Sequence, residues 1–286
     1  MKDLQFCNLY TSEAEQLSDQ PWQAYPRPQL RRDSHFNLNG EWDVAVLQSD
    51  QAPPVFSEKI LVPFAPETLL SGVHRAVPER SYLYYRRKFS LPNDLCKDRV
   101  ILHFGAVDQF AAVWLNGTFL GEHKGGYEAF CFEITDLLQK ENTLVVRALD
   151  CLSSGEYPYG KQSAKRGGMW YTPISGIWQT VWLESVPKQY IESLHFETKE
   201  NRVCILAEGN LPAGVVRVKT PQRIVEAELI EGKAELVLPE PRLWSPEDPY
   251  LYECEVEAGE DLVHSYFALR TLSIESVNGI SRLCMN

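Results

Sequence analysis

The chain has 286 residues, enough for two domains that each bury a core. Hydrophobic residues make up 44% and charged residues 23%, the balance of a globular protein, and a formal charge of −11 repels phosphate backbones and anionic lipid, which argues against nucleic acid and membrane as partners. Aromatics at 11% suit strands and carbohydrate-facing surfaces equally, so composition does not choose between them.

The N-terminus, "MKDLQFCNLYTSEAEQ", lacks the unbroken apolar core of a secretory signal and carries acids early, so a cytoplasmic location is expected. No stretch approaches a transmembrane span. Beyond the N-terminal arm almost every periodic segment reads as strand: "RVILHF", "QFAAVWLNGTFLGEH" (109 to 123), "EAFCFEI" (128 to 134), "TLVVRALD" (143 to 150) and "IWQTVWLESV" (177 to 186) are short, β-branched or aromatic, and bounded by Gly, Pro, Asn or Asp. Helical periodicity is nearly absent apart from a single turn at Asp136 to Gln139. Trp114, Trp178, Trp182 and Phe110 alternate within strands and are expected in the core. Asn116-Gly117-Thr118 fits a glycosylation acceptor, but without a secretory signal it reads as a hairpin turn, since Gly and Asn both accept positive φ.

Pro187 ends one series of strands. From Tyr190 a second series ("RVCILAEG", "VVRVKT", "RIVEAELI", "KAELVLP", "YLYECEVE", "LVHSYFALR") recurs about every 8 to 12 residues, the spacing of a small β-sandwich. Asn278-Gly279 should then reverse the chain into a returning strand, Ile280 to Met285.

Specific chemistry is sparse. The seven cysteines (Cys7, Cys96, Cys131, Cys151, Cys204, Cys254, Cys284) are scattered with no C-x-x-C spacing and read as reduced thiols, mostly buried. The six histidines (His35, His74, His103, His123, His195, His264) show no ligand spacing and read as structural. No metal site and no cofactor is expected: P-loop, H-E-x-x-H, GxGxxG and G-x-S-x-G are all missing. Glycosidic hydrolysis with retention needs two carboxylic groups about 5 to 5.5 Å apart, but 39 acids decide nothing by number, and no Asn-Glu dipeptide occurs.

Three stretches are sharper. "RPQLRRDSHFNLNGEWDVAV" (27 to 46) sets Asn39-Gly40 before an aromatic strand; "GAVDQFAAVWLNGTFLGEHKGGYEAFCFEITDLL" (105 to 138) is strand, Asn-Gly hairpin, strand, Gly-Gly, strand; "GKQSAKRGGMWYTPISGIWQTVWLE" (160 to 184) is a basic, aromatic loop feeding a strand. With "LWSPEDPYLYECEV" and "FALRTLSIE" they make five collinear motifs that resemble the N-terminal half of glycoside hydrolase family two, which includes β-galactosidases, β-glucuronidases and β-mannosidases. The resemblance runs from about residue 25 to the last residue.

It implies an all-β chain, a jelly-roll β-sandwich followed by an immunoglobulin-like β-sandwich: residues 1–187 as a sugar-binding jelly roll with 1–24 as an N-terminal arm, 188–275 as the immunoglobulin-like domain, and 276–286 as a stub leading toward a catalytic TIM barrel of about 250 residues. The barrel would hold both catalytic glutamates, so the chain is expected to be inactive alone, with no catalytic residue of its own. The implied partners are a terminal β-glycoside in the complete enzyme, the chain's own C-terminal barrel and further copies in an oligomer.

In the loop from Gly160 to Ile177, Lys161, Gln162, Arg166, Trp170 and Tyr171 are the expected substrate-binding residues, because sugar ring faces stack on Trp or Tyr while amide and basic groups bond hydroxyls. A solvated brace for a neighbouring domain is the alternative for this loop. Several relatives in the family carry an Asp five residues before the Ser of a Ser/Ala-Gly-Ile motif, and counting back from Ser175 that position is Trp170. An indole stacks and donates one N–H; it does not replace a carboxylate at a sugar or sodium site. Two rival functions stay open, an independent carbohydrate-binding module and a purely structural interaction domain.

Overall fold

The structure is a computed structural model that describes residues 10–48, 50, 55–93, 95, 97–151, 157–165 and 167–286. It is all-β and divides into two compact units: the first takes in the chain to Ala24 and Ser34–Ser185, the second Tyr25–Asp33 and Val186–Asn286.

The first unit is a jelly-roll sandwich. Its larger sheet has six strands in the spatial order Glu58–Val62, Gly40–Leu47, Tyr82–Phe89, Asn142–Leu149, Phe110–Leu115 and Thr118–Lys124, each antiparallel to its neighbour. A second sheet orders His35–Asn37, Val181–Val186, Arg99–Phe104 and Phe130–Glu133. Strict alternation drives this arrangement: along Asn142–Leu149 every second residue is buried, so Leu144, Val146 and Ala148 meet Trp42, Ile60, Leu102 and Leu183 in one core. Each such Leu, Ile or Val contributes about 1.5 to 3 kcal/mol by leaving water.

The expected hairpin is present. Phe110–Leu115 and Thr118–Lys124 pair with Leu115 opposite Thr118, and the two turn residues both have positive φ, Asn116 at 51° and Gly117 at 82°. The Asn116 side chain fixes the turn, donating to Leu137 O (2.8 Å) and Asn142 Oδ1 (3.0 Å) and accepting from Thr143 N (2.8 Å).

Two details differ from expectation. The turn placed at Asp136 to Gln139 is a 3-10 turn at Thr135–Leu137, and a short α-helix, Ser12–Glu15, forms in the N-terminal arm where Thr11 Oγ1 accepts the Ala14 amide. Of the four aromatics expected in the core only Trp182 is buried, at 2% exposure. Trp114, Trp178 and Phe110 are half-buried, because Trp114 lies on the outer face of its sheet under Arg147, Phe110 packs edge-on against Tyr157, and Trp178 sits between strands with its indole N–H donated to Gly126 O. His103 is structural, stacked on Trp182 and bonded to Glu184.

The second unit is an immunoglobulin-like sandwich. Three strands, Ser193–Lys199, Arg202–Glu208 and Lys233–Val237, face four, Ile224–Leu229, Gly214–Lys219, Tyr252–Ala258 and Asp261–Phe267, over a core of Val203, Ile205, Val216, Val218, Val256 and Val263. Its unexpected member is the segment Tyr25–Asp33. Arg32 is buried there and makes a two-pronged ion pair with Asp261, Nε to Oδ1 at 2.8 Å and Nη2 to Oδ2 at 2.7 Å. Nη2 also donates to Ile191 O at 2.6 Å, and Ile191 N donates to Asp261 Oδ2 at 2.8 Å.

The last strands, Leu272–Val277 and Ile280–Met285, form a separate two-stranded hairpin through Asn278-Gly279, again with positive φ at both turn residues. Leu272, Ile274, Leu283 and Met285 share one face, with Ile274 78% and Leu283 76% exposed. Among the described residues no helix is long and apolar enough to cross a membrane.

Candidate functional site

The loop feeding Val181–Val186 is pinned at its stem. Tyr171 N donates to Lys161 O (2.7 Å) and Ser163 N to Tyr171 O (3.1 Å), a short ladder that turns the basic and aromatic residues out of the jelly roll. Trp170 N closes a tight turn on Gly167 O at 3.2 Å. The structure brings Lys161, Gln162, Trp170 and Tyr171 together on this one loop, while Arg166 lies outside the described residues. Lys161 is exposed, Trp170 is 39% and Tyr171 69% exposed, so both aromatic faces are open to a ligand.

Gln162 differs from them. It is buried, and its Oε1 accepts the Ile174 amide at 2.9 Å, with the Asp108 carboxyl nearby. That bond ties the two ends of the loop to each other, beside the short strand Val107–Asp108, which pairs with Gly176–Ile177.

At the other end of the stem stands Ser175. Its amide donates to Glu67 Oε2 (3.1 Å), and its hydroxyl lies 2.9 Å from Glu67 Oε1 and 3.2 Å from Asp150 Oδ2. Gly176, with φ of 74°, follows because a Cβ there would overlap the Tyr85 hydroxyl. Three acids thus meet under the loop. Burial pushes Asp150 up to about 7, with the charge of Asp108 next in importance, and pushes Asp108 up to about 6. Burial also raises Glu67 against the pull of its hydrogen bonds.

Beside this cluster a cleft of 480 Å³ opens between Glu67, His74, Arg75, Val77 and Pro173. On the other side Tyr127 is 48% exposed and packs edge-on against Trp178, with Asp108 and Asp150 near its phenol. Open aromatic faces over polar donors can stack sugar rings and bond hydroxyls. No group of His, Cys, Asp or Glu among the described residues has the geometry of a metal site.

Sequence reading found the loop by its composition and missed Glu67, Asp108 and Asp150. A signal existed for two of them: Asp108 interrupts an apolar strand, and Asp150 ends one whose alternate residues are all core.

Two family descriptions match the chain in order. Residues 61–171 match the glycosyl hydrolase 2 galactose-binding domain-like family and residues 191–270 match glycosyl hydrolases family 2. A β-galactosidase of Thermoanaerobacter pseudethanolicus is 26% identical over 234 residues, covering 73% of this chain and 30% of that protein. A β-glucuronidase of Felis catus is 27% identical over 208 residues, 61% of this chain and 32% of that protein. Among solved structures, a Faecalibacterium prausnitzii β-glucuronidase superposes with a TM-score of 0.68 at 25% identity, covering 91% of this chain and 49% of the other. The chain therefore spans about 30% of the length of these curated relatives.

Proposed function

The chain belongs to glycosyl hydrolase family 2, with the galactose-binding-like domain and the sandwich that follows it, and on that premise we propose that it is the non-catalytic N-terminal portion of a retaining exo-β-glycosidase, β-galactosidase-like, that acts on terminal β-glycosides. Its role is to support a catalytic barrel and shape one wall of its sugar pocket. Residues 1–187 serve as the sugar-binding jelly roll, 188–275 as the immunoglobulin-like domain and 276–286 as the lead into the barrel. Oligomer contacts are a further role, and the reduced thiols of Cys204, Cys254 and Cys284 fit a reducing, cytoplasmic compartment.

The observation that carries the supporting role is the last hairpin. A lone pair of strands is marginal in water, and one that leaves Leu272, Ile274 and Leu283 on an open face calls for a covering surface. The barrel is the covering domain in this reading. Lys161, Trp170 and Tyr171 face the sugar, Arg166 completes the set from outside the described residues, and Gln162 holds the stem.

Turnover is the test. The purified chain is expected to leave nitrophenyl β-galactosides and β-glucuronides intact, since the two carboxylates of a retaining mechanism reside in the barrel. Joined to a family 2 barrel it is expected to support turnover, with Trp170→Ala lowering kcat/KM and leaving the stability of the jelly roll unchanged. Turnover by the chain alone, surviving a control for host enzymes, overturns the reading. The open faces of Tyr127, Trp170 and Tyr171 favour a second reading, an independent carbohydrate-binding module, which saturable sugar affinity in the chain alone would select.

A further inference from the structure

The Ser175 hydroxyl has one hydrogen and two carboxyl neighbours, Glu67 Oε1 at 2.9 Å and Asp150 Oδ2 at 3.2 Å. A single hydrogen does not serve two ionised acceptors, so the second bond forms only where one carboxyl supplies its own proton. Glu67 is already committed as an acceptor, taking the Ser175 amide at 3.1 Å, a bond to its charged form that works against the rise burial imposes. Among the described residues Asp150 takes no amide donor, only the Ser175 hydroxyl; it is 5% exposed and sits among other acids.

We propose that Asp150 is protonated in the folded chain and donates to Ser175 Oγ, which donates onward to Glu67, so that this neutral carboxyl latches the loop segment Gly167–Ile177 and its ionisation releases it. Asp150 is then a positioning residue for the loop. The step is a simple proton loss to water: ionised Asp150 becomes a second acceptor facing the one Ser175 hydrogen, and one of the two bonds is lost.

The surroundings set the direction. Asp108 from Val107–Asp108, Glu67 from the turn after Glu58–Val62 and Glu79 ahead of Tyr82–Phe89 all bring negative charge toward Asp150. Tyr85 contributes a neutral phenol that burial keeps protonated, and Tyr127 another. The basic groups lie in the cleft beside Glu67: His74, and Arg75, whose guanidinium is paired with Glu58 at 2.7 Å. Burial and neighbouring acids together place the Asp150 transition at about 7, within reach of ordinary cellular pH. The other stem anchor, Gln162 Oε1 on the Ile174 amide, lies beside Asp108, a second buried acid, so both fastenings of the loop sit over one cluster.

The inference rests on the proposed function only for its consequence, that loop position sets the sugar pocket; the latch is tested in the chain itself. Carbon-13 carboxyl NMR should show one aspartate titrating near neutrality that disappears in Asp150→Asn. Amide exchange at Ile174 and Ser175, corrected for the intrinsic rate, should accelerate about tenfold or more between about pH 5.5 and 8.5 in the wild type. In Asp150→Asn, whose amide donates to Ser175 at every pH, exchange should stay slow. Ser175→Ala keeps the acids and removes the relay, and should exchange fast throughout. An Asp150 carboxyl ionised from about pH 5 upward, or Asp150→Asn showing the same acceleration, overturns the latch; so does Ser175→Ala with wild-type protection. None of these readouts involves sugar, so failure of the latch leaves the pocket reading standing, and failure of the turnover test leaves the latch standing.

Discussion

Arg32 and Asp261, 229 positions apart, meet in a two-pronged ion pair sealed from solvent, at 1% and 0% side-chain exposure. Two ions leave water there, and the loss is offset because the guanidinium fork matches the carboxylate and the remaining bonds go to the Ile191 backbone. Breaking one side strands the other as an unpaired buried charge.

Asp261→Ala is therefore expected to destabilise the second unit by about 3 to 5 kcal/mol. Replacing both partners, Arg32→Met with Asp261→Leu, should cost much less than either single change. Chemical denaturation of the three variants measures this; a double variant as unstable as the worse single one would mean that shape rather than charge holds the segment.

Gly117→Val should lower the stability of the jelly roll by about 1 kcal/mol or more, through strain at positive φ and not through a clash, since the space beside Gly117 is open. An unchanged melting temperature would count against the turn. Gly176→Ala should cost more, because the added carbon meets the buried Tyr85 hydroxyl as well.

These positions separate what the sequence made readable from what it did not. Asn116-Gly117, Asn278-Gly279 and the alternation of Leu144, Val146 and Ala148 are local signals, carried by residues one to four apart, and the all-β fold followed from them. The family resemblance supplied the order of the two sandwiches. Arg32 gave no hint of Asp261, and Ser175 gave none of Glu67, 108 positions away, because nothing in a strand's period encodes which distant acid it will bury. The loop was conspicuous by its composition; the cluster beneath it was hidden in segments that read as ordinary strand ends.

Stability should carry the imprint of that cluster. A carboxyl whose pKa is higher folded than unfolded stabilises fully below the unfolded value, about 4, and the contribution is lost as pH rises through the folded value. For Asp150 and Asp108 the folded values are about 7 and about 6. The difference in melting temperature between wild type and Asp150→Asn should accordingly shift in favour of the variant as pH rises from about 4 to 7, then level off. A difference independent of pH would show Asp150 ionised throughout.

Thiol reactivity checks the second core. Cys254 is 4% exposed and burial pushes its thiol up to about 12, whereas Cys131 is exposed. Brief iodoacetamide treatment of the native chain, read by peptide mass spectrometry, should label Cys131 and spare Cys254 until the chain is unfolded.

The excursion of Tyr25–Asp33 into the second unit also bears on how the polypeptide is made. The ribosome releases Arg32 early, but its carboxylate partner and the Ile191 carbonyl emerge much later, and at about 5 to 20 residues per second the wait for Asp261 is on the order of ten seconds or more. The nascent jelly roll must therefore close around flanking residues while this stretch stays solvated and unclaimed. Vectorial synthesis thus gives the first unit a head start, and leaves the second unable to finish until both ends of its own discontinuous sequence are outside the tunnel.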